Sequence, residues 1–161
     1  MIAAMVAATI AGLAGCGGDE PRHLTDADVA TIPPGTATGT SFSGTYFADR
    51  ADLDGCHCRL GPCSLLSANM GTTTITQNGG VVSIEPVNPP LLTGGIDLDG
   101  RFSAGASADV DLGHGIELME GTIHAQVSLD AVVESTFVAV LGDVTYDCDV
   151  RLRLHASYTG P

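Results

Sequence analysis

The sequence predicts an all-β fold: an antiparallel meander of about eight strands closing as an up-and-down barrel, with a two-sheet β-sandwich as the alternative. Three observations carry this. The run 147–158, DCDVRLRLHASY, alternates without interruption. Cys148, Val150, Leu152, Leu154, Ala156 and Tyr158 fall on one face, opposite Asp147, Asp149, Arg151, Arg153, His155 and Ser157. A helix, with its period of 3.6, cannot sort residues this way. Second, Asn78-Gly79-Gly80 and Asp99-Gly100 sit between alternating runs, which is hairpin chemistry. Third, 21 glycines with a 44% hydrophobic and 16% charged composition fit short strands joined by tight turns, and are too apolar for a disordered acidic chain.

The chain opens on residues 1–15, MIAAMVAATIAGLAG, which carry no charged side chain. That run is shorter than the ~20 residues a membrane-spanning helix needs, and it has the length of a signal-peptide apolar region. It ends in Leu13-Ala14-Gly15-Cys16, which resembles the lipobox of bacterial lipoproteins. The resemblance implies cleavage before Cys16 and lipid on its thiol, hence a cell-envelope protein anchored by its N-terminus. Gly17, where an aspartate would favour inner-membrane retention, points to the outer membrane of a Gram-negative bacterium. The basic residues that usually open such a leader are missing here.

Residues 16–40 are rich in Gly, Pro, Thr and Asp and sustain no apolar period. They read as a lipidated N-terminus and flexible tether. One helical turn is expected where Thr25 precedes Asp28, stopped by Pro33-Pro34-Gly35.

Residues 41–161 form the folded domain. Strands are expected at 41–48, 72–77, 81–85, 93–98 and 101–107. Runs 108–112 and 116–120 flank Gly113-His114-Gly115, and 122–129, 135–141 and 147–158 complete the set. Sequential hairpins make a meander, and closure removes its edges. An outward apolar band with aromatic girdles is missing, so a membrane-spanning barrel is not expected. The phrases SGTYF, TITQNGG and LTGGIDLDGRF are similar in rhythm to small extracytoplasmic barrels such as lipocalins and avidins. Tyr46 stands where a lipocalin would have tryptophan, and no ligand-binding residue carries over.

With Cys16 assigned to lipid, Cys56, Cys58, Cys63 and Cys148 remain, an even set in an oxidising compartment. A bridge between Cys56 and Cys58 closes too tight a ring. Two pairings stay open: Cys56–Cys63 with Cys58–Cys148, or Cys58–Cys63 with Cys56–Cys148. A zinc site on these thiols is the competing reading, but C-x-C-x4-C is not paired C-x2-C spacing. No cofactor and no metal are expected. The nearest approach to a metal pattern is Asp49, Asp52 and Asp54 before Gly55, which echo the start of a calcium loop but lack its spacing and its distal Glu.

The net charge of −13, with six arginines and no lysine, repels phosphate backbones and excludes nucleic acid as a partner. His124, His155, Arg151 and Arg153 are expected to face outward. No G-x-S-x-G, H-E-x-x-H or phosphate loop occurs, so no catalytic residue is named and an enzyme is not expected. The function expected is a lipid-anchored, non-catalytic binding module for a small apolar ligand or an envelope partner. A structural or interaction lipoprotein without a cavity is the alternative, and an envelope enzyme the third.

Overall fold

A computed structural model describes residues 20–63, 71–86, 90–110 and 113–161. The leader and the Leu13-Ala14-Gly15-Cys16 motif lie outside the described residues. Eight antiparallel strands close a barrel in chain order. They are β1 (Gly44–Leu60), β2 (Thr72–Asn78), β3 (Val81–Glu85), β4 (Leu92–Ile96), β5 (Arg101–Val110), β6 (Gly113–His124), β7 (Ser128–Leu141) and β8 (Val144–Gly160). The meander is therefore a closed barrel and not a sandwich, sealed where β1 pairs β8 from Thr45↔Gly160 to Leu60↔Asp147.

The expected hairpins form at Gly79 and at Asp97–Gly100. Several boundaries differ from the expectation: 101–107 and 108–112 are the single strand β5, and β7 begins at Ser128, ahead of the expected 135–141. β1 continues to Leu60, because bulges at Ala48/Arg50, Leu53/Gly55 and Cys58/Leu60 shift its parity without ending its pairing with β8. Gly113-His114-Gly115 is not a turn but the start of β6, paired to Val110, Asp109 and Ala108. Residues 122–129 are not one strand: Ala125, Gln126 and Val127 form a turn, with Gln126 at φ 56° and Val127 two-thirds exposed.

The face assignment of β8 is as the alternation requires. Cys148, Val150 and Ala156 are buried, and their partners across the sheet, Phe137, Ser135 and Leu129, line the same inner face. The core holds Tyr46, Ile75, Val82, Ile84, Leu92, Ile96, Met119, Ile123 and Leu129, with Tyr158 edge-on to Tyr46 at 5.5 Å between ring centroids. Burial of these side chains is the main stabilising term of the barrel.

Residues 20–43 depart from the expectation of a flexible tether. They form an arm laid across the outside of the barrel. Its helical turn α1 (Asp26–Ala30) starts as expected, the Asp28 carboxylate accepting the Thr25 N–H at 2.7 Å. Leu24 and Val29 are buried against Ile116 and Leu118 on the outer face of β6. The arm then rises to the barrel's upper end. There Gly35 N–H donates to Gly80 O at 2.8 Å and Ala37 N–H to Ile96 O at 3.0 Å. Gly80 and Gly95 permit this approach, since a Cβ on either would collide with the arm backbone at Gly35 or Pro33.

Candidate functional site

The densest chemistry lies where the arm crosses the outer face of β6, β7 and β8. Glu134 on β7 and Asp149 on β8 point outward, yet each is at most 2% exposed. The arm covers them. Glu134 accepts from Arg151 Nη1 at 2.8 Å and from Arg22 Nε of the arm. Arg22 also reaches Glu120 at 3.0 Å. Asp149 accepts from Arg59 Nη1 at 2.7 Å and from the Thr136 hydroxyl at 2.7 Å, and pairs with His23 Nδ1 at 3.0 Å. Burial alone would raise the Asp149 pKa, but the hydrogen bonds from Arg59, His23 and Thr136 outweigh it and hold it below the usual carboxylate value. The Leu24 N–H donates to the Thr136 hydroxyl at 2.8 Å. Two buried carboxylates thus clamp the arm to the sheet, each satisfied by charged partners.

Beside this clamp, Asp54 accepts from Arg151 Nε at 3.1 Å and Arg153 Nε at 3.0 Å. The Arg153 hydrogen bond is the largest cause of its lowered pKa. His155 pairs with Asp130 at 2.6 Å, and His124 approaches the same carboxylate at 3.5 Å. An open surface groove of about 480 Å³ runs between these groups, lined by Arg50, Asp52, Glu120, Asp130, Arg153 and His155. The structure so brings His124, His155, Arg151 and Arg153 onto the outer face, as the sequence predicts. All six arginines have carboxylate partners, which makes the groove a lattice of internal ion pairs and not a bare cationic site.

The Asp49, Asp52 and Asp54 pattern does not form a loop. The three lie within β1 and are drawn to different partners: Asp49 to the Ser157 hydroxyl, Asp52 to Arg50, Asp54 to the two β8 arginines. They do not converge on one point where a hard cation could sit.

The cysteines close as Cys56–Cys63 and Cys58–Cys148, one of the two open pairings. Cys58 and Cys148 are register partners across the β1–β8 seam, with Cα atoms 4.0 Å apart. The bridges touch: Cys58 Sγ lies 3.5 Å from Cys63 Sγ and 3.8 Å from Cys56 Sγ. His57, between them, is exposed on the opposite face. The three loop sulfurs form the one His/Cys/Asp/Glu group of metal-site size among the described residues, but bridged sulfurs are not thiolate ligands.

Inside the barrel, Glu117 faces the same side as Met119, opposite Ala106 and Ser135. Burial raises its pKa to about 7. A side chain at neighbouring Gly115 would meet open space, so this part of the inner face is looser than the core above it.

Sequence reasoning missed Glu134, Asp149 and Glu117 as special carboxylates, and Arg22, His23 and Arg59 as their partners. One signal was present: Glu134 and Arg151 are opposed charges on neighbouring strands. No family model, curated protein or solved structure matches the chain.

Proposed function

We propose that this chain is a lipid-anchored β-barrel of the cell envelope, attached through Cys16 and acting by its outer surface on an envelope partner, without catalysis. The observation that carries the choice of surface over lumen is the filled interior: Tyr46, Ile75, Ile84, Leu92, Ile96 and Leu129 are each at most 1% exposed. A core filled with side chains leaves no room there for a ligand. The anchor rests on the lipobox-like Leu13-Ala14-Gly15-Cys16 at the end of an uncharged apolar run, and outer-membrane residence on Gly17. The barrel is lipocalin-like in its closure and hairpin order, without that family's tryptophan.

A carrier of a small apolar ligand is the second reading. It is favoured by Leu53, half exposed on the inner face, and by the open space at Gly115 beside Glu117.

Intact mass spectrometry of membrane-purified protein, with and without reductant, tests both. The expected species begins at Cys16, carries acyl chains, and gains the mass of four hydrogens on reduction. An uncleaved, unlipidated N-terminus overturns the anchor. A stoichiometric small molecule released on denaturation moves the function into the lumen.

A further inference from the structure

The clamp at Arg22 and His23 fixes how far the domain can stand from a lipid on Cys16. His23 is held to Asp149, and it is the seventh residue after Cys16. Fully extended, seven residues reach about 25 Å. The arm beyond is bonded to the barrel and adds nothing to this reach.

That leash divides the two ends of the barrel. The lower end carries the β7–β8 turn at Gly142 and Asp143. Val144 is five strand residues from Asp149, about 17 Å. The upper end carries exposed Leu98 and Val127. Val127 accepts the Tyr158 N–H, and Tyr158 is nine residues up the strand from Asp149, about 30 Å along it, so the leash reaches the lower end with slack and the upper end only when drawn out almost fully.

Both ends expose aliphatic side chains, Leu98, Val127 and Val81 on three separate upper turns, but at the lower end they adjoin one another along the β1–β8–β7 pairing. Val138 and Val140 stand on the outer face of β7, 46% and 50% exposed. Val144 follows the turn, and Leu60 lies across from Asp147, the same residue that pairs with Val138. Asp147 within this cluster is neutralised by Arg59 Nε at 2.9 Å. Leu60, Val138 and Val140 share the outer face and Val144 sits at the inner rim beside the turn, so all four are half exposed at one end with no core to serve.

We infer that this end, Leu60, Val138, Val140 and Val144, rests on the bilayer surface when Cys16 is lipidated. The inference depends on the lipid-anchor reading above. The lipid supplies attachment; the aliphatic tip sets orientation, since so small a patch cannot hold a membrane unaided. The chain's excess of acid favours a zwitterionic surface over an anionic one. The groove beside His155 and Asp130 is then free of the membrane and available to a partner.

The chain has no tryptophan, so an introduced one is a single reporter. Val140→Trp, Val144→Trp and Leu98→Trp are each purified as the lipidated full chain and placed in phosphatidylcholine vesicles containing brominated lipid. The expected result is a blue shift and loss of emission at position 140 or 144, and neither at 98. Quenching at 98 alone, or at none of the three in protein whose Cys16 acylation is verified by mass, overturns the orientation and leaves the anchor standing. A chain whose mass shows no acyl group overturns the anchor reading and this inference with it. Two lower reporters are used so that one misfolded variant, recognised by circular dichroism, does not decide the outcome.

Discussion

The backbone amide of Leu24 donates to the hydroxyl of Thr136 at 2.8 Å, across 112 residues of sequence. Thr136 passes the interaction on, donating to Asp149 at 2.7 Å. One buried hydroxyl therefore satisfies a donor of the arm and a carboxylate of the sheet. Thr136→Val keeps the shape and removes both bonds. The expected loss is about 2–3 kcal/mol, the cost of leaving buried polar groups unpaired. Urea unfolding measures it, and hydrogen exchange should show the Leu24 amide deprotected in the variant.

Glu134→Ala should cost about 1–3 kcal/mol, because it removes a buried carboxylate that accepts from both Arg22 and Arg151, although Arg22 keeps Glu120 and Arg151 keeps Asp54. Arg50→Ala, which breaks the exposed pair with Asp52, should change stability by less than about 1 kcal/mol. Paired denaturation curves decide. Equal losses in the two variants would mean that the clamp is no stronger than a surface ion pair.

The two bridges should contribute unequally. Cys58–Cys148 spans a sequence separation of 90, and Cys56–Cys63 a separation of 7. In the chain-entropy model these stabilise by about 4–5 and about 2–3 kcal/mol respectively. Replacing Cys58 and Cys148 together by serine should thus lower the melting temperature more than replacing Cys56 and Cys63. The opposite order, in non-reducing buffer, would contradict the loop-length account, and equal losses would point to the crossed pairing, in which each double replacement breaks both bridges.

Glu117 predicts a pH dependence with a definite sign. Its pKa is raised to about 7 in the fold, against 4.5 as the ordinary value. Between these values the folded state keeps a proton that the unfolded state has lost. Stability therefore falls as pH rises from about 4.5 to 7, then levels off, by about 2–4 kcal/mol in all. Asp130 raises the pKa of His155, and Asp109 with Asp26 that of His114. The stability of those pairs is present below pH 6.5 and is lost as pH rises through their raised values. Subtracting the Glu117→Gln profile from the wild-type profile isolates the carboxyl. A flat difference across pH 4.5 to 7 would show that Glu117 is solvated.

What could be read from the sequence followed from unbroken alternation. β8 alternates for its whole middle, and both its pairing and its inner face were legible. β1 beyond Ala48 was not, because each of its bulges reverses which parity points inward, and a period-two reading loses the strand at the first reversal. The turn at Gln126 was hidden for the opposite reason: alternation runs through it by chance, and no Gly or Asn marks the left-handed residue. The arm had no period to find. Leu24, Val29 and Ile32 are placed by the outer surface they meet, not by a repeating backbone. Glu134 and Asp149 occupied positions that an alternating strand gives to solvent, and only the arm, more than a hundred residues away in sequence, removes them from it.

The seam between β1 and β8 has a consequence for the order in which the molecule can be assembled. β1 finds four register partners on β2 and the rest on β8. In a chain made from its N-terminus, β8 follows the other seven strands. Until β8 is in place, the longer part of β1 is an unmated edge carrying Cys56 and Cys58, with Cys63 just past its end. In that interval Cys63 has two neighbours to choose between, Cys56 and Cys58, and only the first choice leaves Cys58 for Cys148. Only a chain whose first bridge is Cys56–Cys63 keeps Cys58 for its register partner Cys148, so the covalent lock on the seam depends on that earlier choice.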